Sequence, residues 1–195
     1  LEVSPRKDSS AKTLNNMVSN LAGIHNIQNV LAVCAMATES GVPSDIIKSG
    51  LEGFEGVNRR FSLISDFKGI KIFDDYGHHP VEIKSTLAAA REITKNKVIA
   101  VVQPHRYSRL KLLFDEFTSA FNDADTVFIT NIYAAGESKQ EDISKEILIN
   151  SLISAGHKDP RPFENSQLNN LIKNKLQEGD IVVFLGAGDI TNKAK

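Results

Sequence analysis

The sequence predicts an α/β protein, a doubly wound and mostly parallel sheet preceded by a separate helical segment. Three observations carry that expectation. From about residue 60 onward, short apolar runs alternate with stretches whose apolar residues recur every three or four positions, as βαβ units do. The run from Val98 to Val102 is apolar without alternation, which suits a strand buried on both faces. Gly53-Phe54-Glu55-Gly56 places two glycines in four residues and divides the helical front from the α/β remainder.

Taken in order, residues 1 to 20 are polar and irregular, with at most one or two short strands and a turn. Ile27, Val30, Leu31, Cys34 and Ala35 then recur at helical spacing, predicting a helix from Ile24 to near Gly41. A second helix starts at Pro43-Ser44 and runs through Ile46, Ile47 and Leu51. Beyond the boundary, 61–67 and 70–74 read as strands joined at Lys68-Gly69. Pro80 suits the first turn of a helix over 81–94. A strand over 97–103, a helix over 108–121 and a strand over 126–130 follow. The remaining elements are a helix over 143–155, a short strand at 161–163, a helix over 167–176 and a strand over 181–185.

Composition narrows the function classes. The 195 residues suit one ordinary domain and a remainder, or two small domains. Lys and Arg number 23 against 24 Asp and Glu, a net charge of -1, which disfavours gripping nucleic acid by bulk positive charge. No apolar stretch is long enough to span a bilayer, and no basic segment leads into an apolar run as in a signal peptide. The lone Cys34 excludes an internal disulfide and a cysteine-built zinc site. A cytoplasmic location is the default expectation. The chain begins at Leu1 rather than Met, which points to a piece of something longer.

Open α/β sheets bind ligands beyond the carboxyl ends of their strands, so the chemistry is sought there. Four such loops are conspicuous: Asp74 to Pro80, Gln103 to Arg109, Asn131 to Glu137, and Gly186-Ala187-Gly188-Asp189. The topology should bring all four to one sheet edge. In the first, Asp75 suits a ribose hydroxyl, a cation, or the N-cap of the following helix. In the second, Arg106 and Arg109 sit with His105 at a helix start. There, positive charge opposes the helix dipole unless an anion joins it. The fourth is a lone GxG, compatible with ligand contact or with a tight strand-to-helix turn. Asn26 and Asn29, three apart beside His25, share a helix face or cap that helix. Asn58-Arg59-Arg60 leads into a strand, as an exposed pair or a phosphate clamp.

Together these segments resemble the Mur ligase family. The resemblance rests on Gly23 to Asn29, Phe54 to Phe61, Tyr133 to Glu137 and the loops at Asp74, Gln103 and Gly186, and it runs from Gly23 to about Asp189. It implies that 1–56 is the tail of a central ATP-binding domain and 57–195 a Rossmann-like C-terminal domain. The implied reaction joins L-alanine to UDP-N-acetylmuramate through an acyl phosphate made from ATP, with Mg2+. Carried over by position, Asn26, Asn29, Arg60 and Asp75 would contact ATP. Tyr76, His78, His105, Arg106 and Arg109 would bind substrate, and His78, His105, Arg106 and Arg109 would serve catalysis; no metal ligand is assigned. No G-x-x-x-x-G-K-[ST] occurs. The resemblance therefore implies a fragment that is inactive alone, with the phosphate loop, most magnesium ligands and the UDP-substrate domain elsewhere. The alternatives are a ligase that reattaches recycled murein tripeptide, and a stand-alone nucleotide-binding module without catalysis. A dinucleotide dehydrogenase is disfavoured by the lack of GxGxxG after the first parallel strand.

Overall fold

The computed structural model describes residues 17–19, 21, 23–54 and 56–194, with Asn165 and Gln167 described by backbone alone. Most of the segment expected to hold strands within residues 1–20 lies outside the described residues. The chain forms two compact units, Leu1–Gly56 and Val57–Lys195.

The first unit contains α1 (Ile24–Glu39) and α2 (Ser44–Glu52). Their apolar stripes meet in a small core of Met17, Val30, Cys34, Ile47 and Leu51. Cys34 is buried filler there, and burial raises its thiol pKa. Gly23 occupies the N-cap of α1 at a φ of 94° without a side-chain cap. Capping by Asn26 or Asn29 is therefore overturned, because both lie inside the helix.

The second unit is built on a six-stranded sheet. Its elements are β1 (Ser62–Phe67), β2 (Ile70–Asp75), α3 (Pro80–Ile93), β3 (Val98–Val102), α4 (Tyr107–Leu112), α5 (Phe114–Ser119), β4 (Thr126–Ile129), α6 (Lys145–Ser154), β5 (Pro160–Pro162), α7 (Asn165–Asn174), β6 (Ile181–Leu185) and α8 (Thr191–Ala194). The strand order is β1-β2-β6-β3-β4-β5. Only β1 runs antiparallel, paired to β2 through the turn at Lys68-Gly69 with a register shift between Leu63 and Ser65.

Alternation along the central strands builds two cores. Val98, Ala100, Val102, Val183 and Leu185 face Ile83, Leu87, Leu110, Phe117, Leu148 and Leu152 from α3, α4, α5 and α6. Ile99, Val101, Val182 and Phe184 face Leu168 and Ala194 from α7 and α8. Side chains of period two on a strand buried on both faces leave no polar position, which explains the unbroken apolar runs.

Two expectations are corrected. The helix over 108–121 is two short helices separated at Leu113, whose φ of -111° and ψ of 28° leave the helical region. Leu110, Phe117 and Phe121 still share one buried face across the break, so the apolar period alone does not reveal it. The short α8 was not foreseen.

The chain crosses from β2 to β3, β4 and β5 on one face, then returns by α7 to insert β6 between β2 and β3. That reversal opens a crevice beyond the carboxyl ends of β2, β6 and β3.

Candidate functional site

The four conspicuous loops do converge. The loop after β6 docks on the loop after β3: Gln103 Nε2 donates to Asp189 Oδ1 at 2.6 Å, and Ile190 N–H donates to Gln103 Oε1 at 3.3 Å. Gly186 N–H donates to the Asp75 carbonyl at 3.1 Å. The loops after β3 and β4 pair as a bridge between His105 and Tyr133, with Arg106 N–H to Tyr133 O and Tyr133 N–H to Pro104 O both at 2.8 Å.

On this frame stands a row of rings. Tyr76 meets His78 edge-on at 5.4 Å, His78 lies 5.5 Å from His105, and His105 stacks on Tyr133 at 5.3 Å and 19°. Arg109 Nη1 approaches His105 Nδ1 at 3.3 Å. A guanidinium has donors only, so Nδ1 is the acceptor in that contact and the neutral ring carries its proton on Nε2. Burial, followed by the electrostatic influence of His78, Arg109 and Arg106, lowers the His105 pKa; Glu137 opposes this. These effects favour the neutral imidazole; in the tautomer that matches the Arg109 contact, Nε2–H is the donor.

Arg106 is exposed and sits at φ 72° and ψ 134°, a region that L residues rarely occupy. Its backbone N–H bond to Tyr133 holds it there. Such strain collects where a side chain must be aimed at a ligand. Glu137 accepts from both the N–H and the hydroxyl of Ser108, and these bonds keep its pKa low. Since α4 has six residues, its dipole adds little, and the positive charge at this loop is that of the two guanidiniums.

The loop after β2 is shaped from within. Asp75 is only 4% exposed. It accepts from Gly77 N–H at 2.6 Å and Phe61 N–H at 2.8 Å, while burial outweighs these bonds and raises its pKa. The structure thus gives Asp75 a loop-holding role, whereas the sequence suggested a ribose, a cation or an N-cap. The N-cap of α3 is His79, with Glu82 completing a capping box. Burial pushes the Glu82 pKa up, but N–H donors from His78 and His79 at 3.1 Å each, with the charges of His78 and Arg60, bring it below its ordinary value.

Arg60 is exposed, 3.5 Å from Glu82 Oε1, with its guanidinium 6.0 Å from the Tyr76 ring centroid. Its neighbour Arg59 is the pinned one. Arg59 Nε meets Asp74 Oδ2 at 3.2 Å, another of its nitrogens donates to Gly186 O, and it lies 4.9 Å from the Tyr76 ring. Asn26 and Asn29 belong to the first unit, with Asn29 exposed and Asn26 half-buried.

Sequence reasoning missed Glu82 and, although it placed Arg59, Gln103 and Tyr133 in conspicuous segments, gave them no individual role. Glu82 had a usable signal, an acidic residue three beyond the N-cap. The others act through contacts distant in the chain and leave no local pattern. The GxG of the β6 loop is a tight turn: a Cβ on Gly188 would lie 2.7 and 2.8 Å from the Tyr133 ring.

Among the described residues no group of three His, Cys, Asp or Glu could hold a metal ion. The exposed Arg60 beside the Tyr76 ring does fit an anionic, aromatic nucleotide. Among the described residues no helix is long and apolar enough to cross a membrane.

Comparison with known proteins places the fold in a family. A family profile described as Mur ligase, glutamate ligase domain, matches residues 59–188. The UDP-N-acetylmuramate--L-alanine ligase of Chelativorans sp. (strain BNC1) is 49% identical over 190 residues, covering 97% of this chain and 41% of that protein. The crystal structure of the UDP-N-acetylmuramate-alanine ligase from Thermotoga maritima is 30% identical with a TM-score of 0.73, covering 91% of this chain and 38% of that one. A murein peptide ligase from Psychrobacter arcticus, 23% identical with a TM-score of 0.64, shares the fold. The chain thus spans about two fifths of the length of the curated relatives it matches. Since the matching profile extends over well more than half of its residues, the chain belongs to the Mur ligase family.

Proposed function

We propose that this chain supplies the amino-acid-binding half of an ATP-dependent ligase that joins L-alanine to UDP-N-acetylmuramate in peptidoglycan synthesis. The observation that carries the reading is the row of Tyr76, His78, His105 and Arg109 beyond the carboxyl ends of β2 and β3. With Arg106 on the same loop, it offers two guanidiniums and an imidazole to one small anionic ligand. The names of the relatives support L-alanine over a recycled peptide as that ligand.

In the proposed reaction ATP phosphorylates the muramoyl carboxylate, the alanine amine attacks the acyl phosphate, and the tetrahedral intermediate expels phosphate. Arg106 and Arg109 hold the alanine carboxylate, and His105 donates its Nε2–H to negative charge on substrate or intermediate. Fixed donors aimed at developing charge are the main catalytic contribution of such a site. Tyr76 and His78 line the same region. Asn26 and Asn29 contact the adenine, and Arg60 approaches the phosphates. Asp75 shapes the loop beside the ribose. On this reading 1–56 is the tail of the central ATP-binding domain and 57–195 the C-terminal domain. Mg2+ draws its ligands from residues outside this chain, and the enzyme works in the cytoplasm.

Phosphate release with ATP, UDP-N-acetylmuramate and L-alanine tests the reading. A full-length ligase carrying this segment turns over, and the 195-residue chain alone does not, because no G-x-x-x-x-G-K-[ST] lies within it. R106A or R109A raises the KM for L-alanine by about 10- to 100-fold, the range for losing a charged hydrogen bond. Unchanged KM and kcat in both variants would remove these residues from the site.

A further inference from the structure

Tyr133 contributes no group to the chemistry described above, yet it sits at the junction of three strand-end loops. One face of its ring stacks on His105 at 5.3 Å and 19°. The ring also rests on Gly188, where a Cβ would stand 2.7 Å from Cγ and 2.8 Å from Cδ2 and would collide with Gln103 Oε1 as well. Such approaches are far inside the roughly 3.4 Å of ordinary contact, so only glycine fits while the ring stays in place. Gln103 fixes that glycine from behind through Asp189 Oδ1 and Ile190 N–H. The backbone of Tyr133 is tied to Pro104 and Arg106 on either side of His105. The ring, though 39% exposed, is thus held between the imidazole and the Gly188 backbone.

We propose that Tyr133 is the positioning residue of the site, a ring seated on the bare backbone of Gly188 that sets the plane and the solvent access of the His105 imidazole. The significance for L-alanine rests on the ligase reading; the ring geometry does not. Four charged or titratable groups also face His105: His78 from the β2 loop, Arg106 and Arg109 from its own loop and α4, and Glu137 from the β4 loop. All four residues are retained in Y133L and G188A, and the only perturbation the two substitutions share is at the Tyr133 ring, so a common change in the His105 titration reports the ring.

The test is a proton NMR titration of the 195-residue chain, following the His105 ring protons. In the unsubstituted protein these protons show the upfield ring-current displacement of a stacked aromatic and a cross-relaxation peak to Tyr133. Neither depends on any variant, and the absence of both would overturn the proposal. Y133L loses the displacement and raises the His105 pKa toward the ordinary imidazole value, because water reaches the ring. G188A does the same without touching His105, and Y133F restores the wild-type titration. A His105 titration unmoved by both Y133L and G188A, or moved as far by Y133F as by Y133L, would refute the positioning role. In a full-length ligase carrying this segment, Y133L raises the KM for L-alanine about 2- to 10-fold, the worth of one aromatic pair, and Y133F recovers most of it. A displaced titration with an unchanged KM would retain the ring geometry and overturn the assignment of His105 to the amino acid.

Discussion

The loop after β2 stands or falls with Asp75, and D75A exposes which task the residue performs. Its carboxylate is the acceptor for Gly77 N–H at 2.6 Å and Phe61 N–H at 2.8 Å. Gly77 is buried, so its orphaned donor costs the full penalty of about 1–3 kcal/mol. Phe61 is half-buried and regains part of its bond from water, so it adds at most about 1 kcal/mol. We expect D75A to destabilise the second unit by about 1–4 kcal/mol, and D75N, which keeps one acceptor oxygen for two donors, by about half as much. The chain has no Trp, so urea denaturation is followed by far-ultraviolet circular dichroism. The pH dependence carries a second signature. Burial raises the Asp75 pKa in the folded protein, so the folded state holds that proton more tightly than the unfolded chain does. The contribution of Asp75 therefore becomes more favourable as pH falls from the raised value toward the unfolded value of about 3.9, and D75A loses that slope. A D75A protein within about 0.5 kcal/mol of wild type, the scatter of surface substitutions, would refute the loop-holding role and return Asp75 to ligand contact.

His105 titrates in the opposite sense. Its folded pKa is depressed, so its contribution is complete above the unfolded value of about 6.5 and is lost as pH falls through that value toward the folded one. Comparing urea midpoints of wild type and H105Q across that window checks this, the variant showing the shallower fall. Phe117 is 1% exposed in the face that the broken helix shares with the sheet. F117A should cost about 3–5 kcal/mol, measured by the same denaturation, if α4 and α5 pack as one buried surface. G69A should also destabilise. Gly69 sits at φ 78° in the hairpin turn, and a Cβ there would press within 3.1 Å of the Glu178 Cβ.

Much of this protein was legible because its signals are local. The strands β3 and β6 betray themselves by apolar runs that no half-exposed element tolerates. The loops at Asp74, Gln103, Asn131 and Gly186 stand out because polar and charged residues follow each run directly, and strand polarity then sends them to one edge. The division of labour inside a loop is not local. Asp74 and Asp75 are adjacent carboxylates with the same chemistry in the sequence. In the fold Asp74 pairs with Arg59 and Thr191, while Asp75 turns to Gly77 and Phe61. Arg59 and Arg60 divide in the same way, one pinned to Gly186 and the other left at the surface.

The sequence by itself determined the fold class, the position of the helical front, the family and the loops that meet at one edge of the sheet. Periodicity and strand-end chemistry need only neighbours along the chain. Only the tertiary structure decided which residues of those loops stay exposed and which face each other. That choice depends on pairs as remote as Gln103 with Asp189, Tyr133 with Gly188, and Arg59 with Gly186. Such contacts exist because β6, the last strand in the chain, is inserted between β2 and β3. Each side chain there is held by packing and hydrogen bonds across the sheet, which no window of sequence contains.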